Sequence, residues 1–294
     1  MTVSLNYLIL IVPALLGVAF ITLLERKVLS IVGARLGPNK TSIYGLFQPI
    51  SDAVKLASKQ VNSLSGFSAT FYYMSSLLML FSALMLWTIF FSVVDVKFGF
   101  LVIMISLGVN SLNSIIAGWS TFSKYPLLGS IRTVAQLISY EAVLYLCLFF
   151  IFLYCYTFNF FSSLGASTFF LSICSPICFY IWVPSVLAEL NRTPYDFSEG
   201  ESELVSGFNT DFGSSAFTLI FLAEYSNIIF FSLVTSLLFF TKFYPLFFFF
   251  FFFVIWIRSV LPRYRFDLLM SLAWKFFIPF LTLVFLSSVY FLSF

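Results

Sequence analysis

No histidine occurs in this chain, and acids and bases together make up only 9% of its 294 residues. The first absence removes the commonest metal ligand and the side chain that titrates near neutrality. The second excludes an ordinary soluble domain, in which about a quarter of the residues are charged. Cys147, Cys155, Cys174 and Cys178 lie in or beside apolar runs. Cys174 and Cys178 are one helical turn apart with Pro176 between them, and no C-x-x-C pair occurs. No haem, zinc or iron–sulfur site is indicated. Neither G-x-G-x-x-G nor a P-loop sequence appears, so no nucleotide loop is expected. Met1 leads directly into an apolar run without a basic n-region, an A-x-A site or an Arg-rich transit sequence. Such a chain is expected to be inserted where it is made or imported by internal signals.

What is abundant is apolar surface. The chain is 61% hydrophobic, and 43 of its residues are Phe, including the unbroken run Phe247–Phe253. Repeated apolar runs of about 20 residues predict an all-α polytopic membrane protein. Eight spans are expected in one membrane domain, at about 3–24, 70–94, 99–118, 133–156, 168–188, 215–239, 244–261 and 270–292. After the first comes Glu25-Arg26-Lys27, then a Gly/Pro turn, Gly33–Lys40, with Thr41 or Ser42 fit to cap a helix. Ile43, Leu46, Phe47, Ile50, Val54 and Ala57 then recur at helical spacing opposite Gln48, Asp52, Lys55 and Lys59. This predicts an amphipathic interfacial helix, kinked or started late by Pro49.

The densest charge lies in Leu187–Gly213, which holds Glu189, Asp196, Glu199, Glu201, Glu203 and Asp211 but one base, Arg192. A solvated loop would show acids too, yet six of the chain's 12 acids beside a span suggest a use. Thr193-Pro194 fits a cap followed by Pro at a first helical position, and Ser198–Glu201 fits a capping box. Carboxyls this close titrate together, as a proton or charge relay requires. Two further acids, Glu141 (beside Tyr140) and Glu224, fall inside expected spans, where an ionisable group should face other helices or water. Arg258, Arg263 and Arg265, interleaved with aromatics, fit either a grip on an anionic or quinonoid head group or positive-inside anchors. The connections after spans one, three, five and seven, with Lys275 just beyond them, carry 13 of the 15 bases. That side is expected to face the cytoplasm or matrix, and both termini the other.

Several stretches carry a resemblance: LLERKVL (23–29), GARLGPNK (33–40), YGLFQPISDAVKL (44–56), GWSTFSKYPLLGSIRTVAQLISYE (118–141), LAELNRTPYDFSEGESELVSGFN (187–209), LAEYSNI (222–228) and WIRSVLPRYRFDLLMSLAWKFFIP (256–279). They run in order through nearly the whole chain, and the acidic stretch is the most specific. The chain resembles the quinone-site membrane subunits of respiratory complex I, the proton-pumping NADH:ubiquinone oxidoreductase. The resemblance implies eight spans in the mitochondrial inner membrane, matrix-facing motifs, and termini in the intermembrane space. It implies no catalytic residue on this chain alone and ubiquinone as a substrate in a shared chamber. NADH, flavin and iron–sulfur clusters would belong to other subunits. Expected partners are the peripheral-arm quinone-cavity subunits, small membrane subunits and lipid, with no nucleic acid. Glu25, Arg26, Arg35, Asp52, Arg132 and Arg258 match positions of the quinone chamber and its entrance. Tyr140, Glu141, Glu189, Asp196, Glu199, Glu201, Glu203, Asp211 and Glu224 match a charge path toward the pumping subunits. Asp211 stands where many relatives have Glu, and Gln60 after Lys59 where many have Glu.

Other readings compete. A homologous subunit of a hydrogenase-type or ferredoxin-linked complex would share the acidic stretch. A secondary transporter would use Glu141 and Glu224 as ion sites, but no inverted repeat is found. A purely structural anchor would tolerate neutralisation within residues 189–211.

Overall fold

The computed structural model describes residues 2–59, 68–90, 99–155, 169–197, 207–239 and 246–292, which are helices joined by short turns, with no strand among them. The expected capping box at Ser198–Glu201, the acids Glu199, Glu201 and Glu203, and Gln60 lie outside the described residues. The helices are α1 (Thr2–Val32), α2 (Gln48–Ser58), α3 (Ala69–Trp87), α4 (Gly99–Ser120), α5 (Lys124–Cys155), α6 (Phe169–Glu189), α7 (Ser214–Phe239) and α8 (Leu246–Val260). The last helix runs as α9 (Phe266–Leu272), a π turn (Ala273–Phe277) and α10 (Ile278–Leu292). Among the described residues, five are long and apolar enough to cross a membrane: α3, α4, α5 over Lys124–Phe152, α7, and the last helix over Phe266–Ser287. The chain is therefore a polytopic, all-helical membrane protein.

Helix packing follows the small residues. The buried residues include Ser75, Ser76, Ser82 and Ala83 on α3, and Ser106, Ser111, Ser114, Ala117 and Gly118 on α4. Small side chains let backbones approach closely where no hydrophobic effect drives helices together. Each hydroxyl spends its proton on a carbonyl three residues back, as in Ser75 to Tyr72 (3.0 Å) and Ser114 to Ser111 (2.7 Å), so it costs little to bury. Between α5, α6 and α7 the core is larger: Trp182 is wholly buried among Leu144, Cys147, Phe230 and Phe231. Toward the other side, Tyr72 stacks on Phe212 at 4.4 Å, and its hydroxyl accepts the Gly213 N–H at 2.9 Å.

Four local readings change. The helix of the first span does not stop at Leu24 but carries Glu25, Arg26 and Lys27 on to Val32. No cap forms at Thr41 or Ser42. A 3₁₀ turn, Ile43–Gly45, intervenes; α2 follows Phe47, and Pro49 sits in its first turn, the late start the proline required. Helix α5 starts at Lys124, nine residues before the expected span, because Pro126 also falls in a first turn. No helix starts at Thr193-Pro194; that segment is a non-helical turn with a cis Thr193–Pro194 peptide. There the backbone is claimed by tertiary bonds, including Tyr264 N–H to Pro194 O at 3.0 Å.

Two glycines fix close approaches. A Cβ on Gly45 (φ +73°) would stand 2.1 Å from the Pro38 carbonyl oxygen. On Gly129 of α5 it would stand 2.9 Å from Gly207 Cα and Phe208 N, in the turn that leads to α7. Neither neighbour is a side chain that can rotate away. Gly129→Ala is therefore expected to destabilise the fold by about 1–3 kcal/mol, read as loss of assembled, folded protein on native gels after a heating series.

Candidate functional site

The first turn of α1 beyond its apolar stretch carries Glu25, only 4% exposed. Three groups converge on its carboxylate from distant parts of the chain. Arg192, from the turn after α6, donates to Oε1 at 2.8 Å; Arg258, near the end of α8, donates to the same oxygen; Tyr225 of α7 donates to Oε2 at 2.6 Å. Arg192 also lies 4.5 Å from the Tyr225 ring centroid, where the aromatic face favours a cation. Burial pushes the Glu25 carboxyl upward, but the Arg192 and Arg258 charges and the Tyr225 hydrogen bond outweigh it and hold it below the ordinary 4.5. Burial likewise opposes the Arg192 charge, and Glu25, Tyr225 and Glu224 together more than restore it.

The next residue, Arg26, pairs with Asp52 of α2 at 2.8 Å, and Gln48 donates to the other Asp52 oxygen at 2.9 Å. These pairs draw the polar side of α2 inward. Its apolar residues Ile50 and Val54 are left exposed, the orientation expected of an interfacial helix. Between α1, α2 and α7 lies a cavity of about 450 Å³. Its walls are mostly apolar, including Val18, Leu29, Leu56, Phe217 and Leu222. Glu25, Arg26, Asp52, Tyr225 and Arg258 lie on it too.

A second cavity of about 230 Å³ shares Phe221, Tyr225 and Arg258 with the first and adds Arg192, Asp196 and Glu224. A third, about 40 Å³, shares Asn191 and Glu224 with the second and reaches Glu189, with room for a water or two. Glu189 in turn neighbours Glu141, which lies beside the Ser111 and Tyr145 hydroxyls. Both Glu189 oxygens and one of Glu141 are buried without a hydrogen-bond partner among the described residues. Polar groups thus run in sequence from the large cavity into the middle of the bundle.

The remaining expected residues are placed less centrally. Asp196 accepts from Arg263 at 3.4 Å, and Arg265 pairs with Asp267 at 3.3 Å. The three arginines of residues 258–265 therefore answer three different carboxylates rather than forming one cluster. Tyr140 is buried and donates to Leu269 O at 3.0 Å. Asp211 accepts from Ser123, the residue just before α5. Arg35 is exposed and Arg132 half-buried, and neither lines the large cavity. Arg192 and Tyr225 were not singled out by the sequence. The lone base among six acids was the available signal for Arg192; nothing local marks Tyr225. Among the described residues, no group of three or more Cys, Asp and Glu could hold a metal.

The profile of the NADH dehydrogenase family matches residues 5–289. The chain belongs to this family. It is 47% identical over 285 residues to the NADH-ubiquinone oxidoreductase chain 1 of Aedes aegypti, covering 92% of this chain and 90% of that one. To the chain of the same name from Locusta migratoria it is 45% identical over 287 residues (94% and 91% covered). To that of Apis mellifera ligustica it is 40% identical over 304 aligned positions (100% and 98% covered).

Replacing Glu25 by Gln would leave Arg192 buried without its anion. The expected cost is about 3–5 kcal/mol. Because Glu25 is held below 4.5 in the folded chain, its contribution is complete above the unfolded carboxyl's range and disappears as pH falls through the lowered value. The melting difference between wild type and Glu25→Gln should stay constant from neutral pH down to about 5 and narrow only below that.

Proposed function

We propose that this chain is the quinone-site membrane subunit of a mitochondrial NADH:ubiquinone oxidoreductase. It crosses the inner membrane eight times as one domain, with its charged connections on the matrix side and both termini in the intermembrane space. The observation that carries the reading is the large cavity. An apolar slot opens between helices and meets a fixed set of guanidinium, phenol and carboxylate groups. A quinone with an apolar tail and two carbonyl acceptors matches that order. The tail lies along Val18, Leu29 and Phe217, and the head moves past donors such as Arg26, Tyr225 and Arg258. Reduction of the head takes two electrons and two protons. The electrons come from NADH through flavin and iron–sulfur centres on other subunits, and peripheral-arm subunits close the chamber from the matrix side. Small membrane subunits and lipid surround the rest.

The run of polar groups beyond Arg192 is the other half of the reading. Asp196 and Glu224 line the second cavity, and Glu189 and Glu141 follow. Two buried carboxyls side by side, without a cation among the described residues, feel a nearby charge with little screening. A change of charge at the Glu25 cluster is therefore felt along this line and passed toward the pumping subunits. By resemblance, Glu199, Glu201, Glu203, Asp211 and Tyr140 belong to the same path, and Arg35 and Arg132 to the passage.

The test is Glu189→Gln in the assembled complex. NADH:quinone turnover and proton pumping are expected to fall about tenfold or more, as for loss of a positioned proton-transfer group, with native-gel assembly unchanged. Wild-type rates and pumping would remove Glu189 from the path.

A further inference from the structure

We propose that Gln136 is a positioning residue that sets Arg192 against Glu25 and so holds the polar end of the cavity in register. The inference rests on the quinone-site reading for its consequence but not for its geometry. Gln136 sits in mid-α5 and is wholly buried. Its Nε2 donates to Ala188 O at 2.8 Å and to Tyr195 O at 2.8 Å. These carbonyls are the two ends of one short turn, and Arg192 is in the middle of it. Both amide protons are therefore spent on backbone, which leaves Gln136 none to pass along a relay.

The rest of the turn is held by its own short bonds: Asn191 N–H to Ala188 O at 3.2 Å, Arg192 N–H to Leu187 O at 3.3 Å and Tyr195 N–H to Arg192 O at 2.8 Å. These fold the turn but do not say where it stands relative to α1 and α7. The bond from α5 to both of its ends does. Arg192 must meet Glu25 at 2.8 Å and the Tyr225 ring at 4.5 Å at once. A displacement of the turn by about 1 Å breaks the Glu25 bond, because a charged hydrogen bond is lost well before 4 Å, and it weakens the ring contact. The Gln136 Oε1 atom is buried and has no hydrogen-bond partner among the described residues. A residue selected only to fill the core would not strand an acceptor there. The donors are what the position needs.

The same turn begins at Glu189, so Gln136 fastens the start of the carboxyl path and the arginine of the cavity with one amide. It touches no reacting group; it acts through Arg192.

The experiment uses the assembled complex and a readout independent of quinone. Dicyclohexylcarbodiimide reacts with protonated carboxyls in apolar surroundings and spares an ion-paired carboxylate. Modification of Glu25 is measured by mass spectrometry of its peptide. Arg192→Gln, which removes one cation directly, sets the upper level. Gln136→Leu, of similar volume and without donors, is expected to raise labelling at least threefold. Gln136→Glu, which keeps one donor when neutral, should fall between Leu and wild type. The double variant Gln136→Leu with Arg192→Gln should label no more than Arg192→Gln alone, because both act on one contact. In parallel, the apparent KM for a short-chain quinone should rise with the labelling. If Arg192→Gln raises labelling while Gln136→Leu and Gln136→Glu stay at the wild-type level, or if the double variant shows the sum of the two effects, the proposal is overturned. Should the Leu variant fail to assemble, the Glu variant decides by the same labelling. A labelling change without a KM change supports the positioning role and counts instead against the quinone site.

Discussion

A carboxylate can be buried in an apolar helix bundle only if its charge is answered where it sits. Glu25 is answered three times, by Arg192, Arg258 and Tyr225. The partners come from α7, α8 and the turn after α6, so four separate parts of the chain are tied at one point. Removing Glu25 leaves the buried Arg192 cation without its anion. This makes the cluster a fixed reference, and the large cavity can be read from it. Wall and floor come from α1 and α7, α2 is pulled over the opening by the Arg26–Asp52 pair, and the cluster marks its polar end.

The same point explains why the charged groups are ordered rather than scattered. On the cavity side Glu25 has two cations, Asp52 has Arg26, and Asp196 has Arg263. Deeper in the bundle Glu189 and Glu141 neighbour each other, and neither has an ion pair among the described residues. In the proposed function the first set fixes geometry, and the second is where a proton would be held or released. The gradient from paired to unpaired carboxyls would then connect a binding event at one end to a protonation event at the other.

Much of this was legible in the sequence because it rests on local pattern. Apolar runs announce the helices, and Pro49 announces the late start of α2, since proline is tolerated only in a first turn. The intramembrane Glu141 and the acid-rich stretch stand out because ionisable groups are rare in such a chain. What was not legible rests on contacts between distant residues. Glu25 and Arg192 are 167 positions apart, and Glu25 and Arg258 are 233; no window reveals them. The Thr193-Pro194 cap failed for the same reason. The local signal favoured a helix start, but bonds from Gln136 and Tyr264 claim that backbone for a turn. The arginines near residue 260 read as one basic cluster in sequence, yet each is drawn to a different acid.

The most direct measurement of the central claim is photolabelling of the intact, membrane-embedded complex with a quinone carrying a photoreactive group on its head. The labelled residues would be mapped by mass spectrometry with and without excess unlabelled quinone. The account predicts competable labels in α1 around Thr22–Leu29, in α2 around Pro49–Leu56 and in α7 around Phe217–Tyr225. Competable labels confined to other faces of the chain, with none in these three helices, would contradict it.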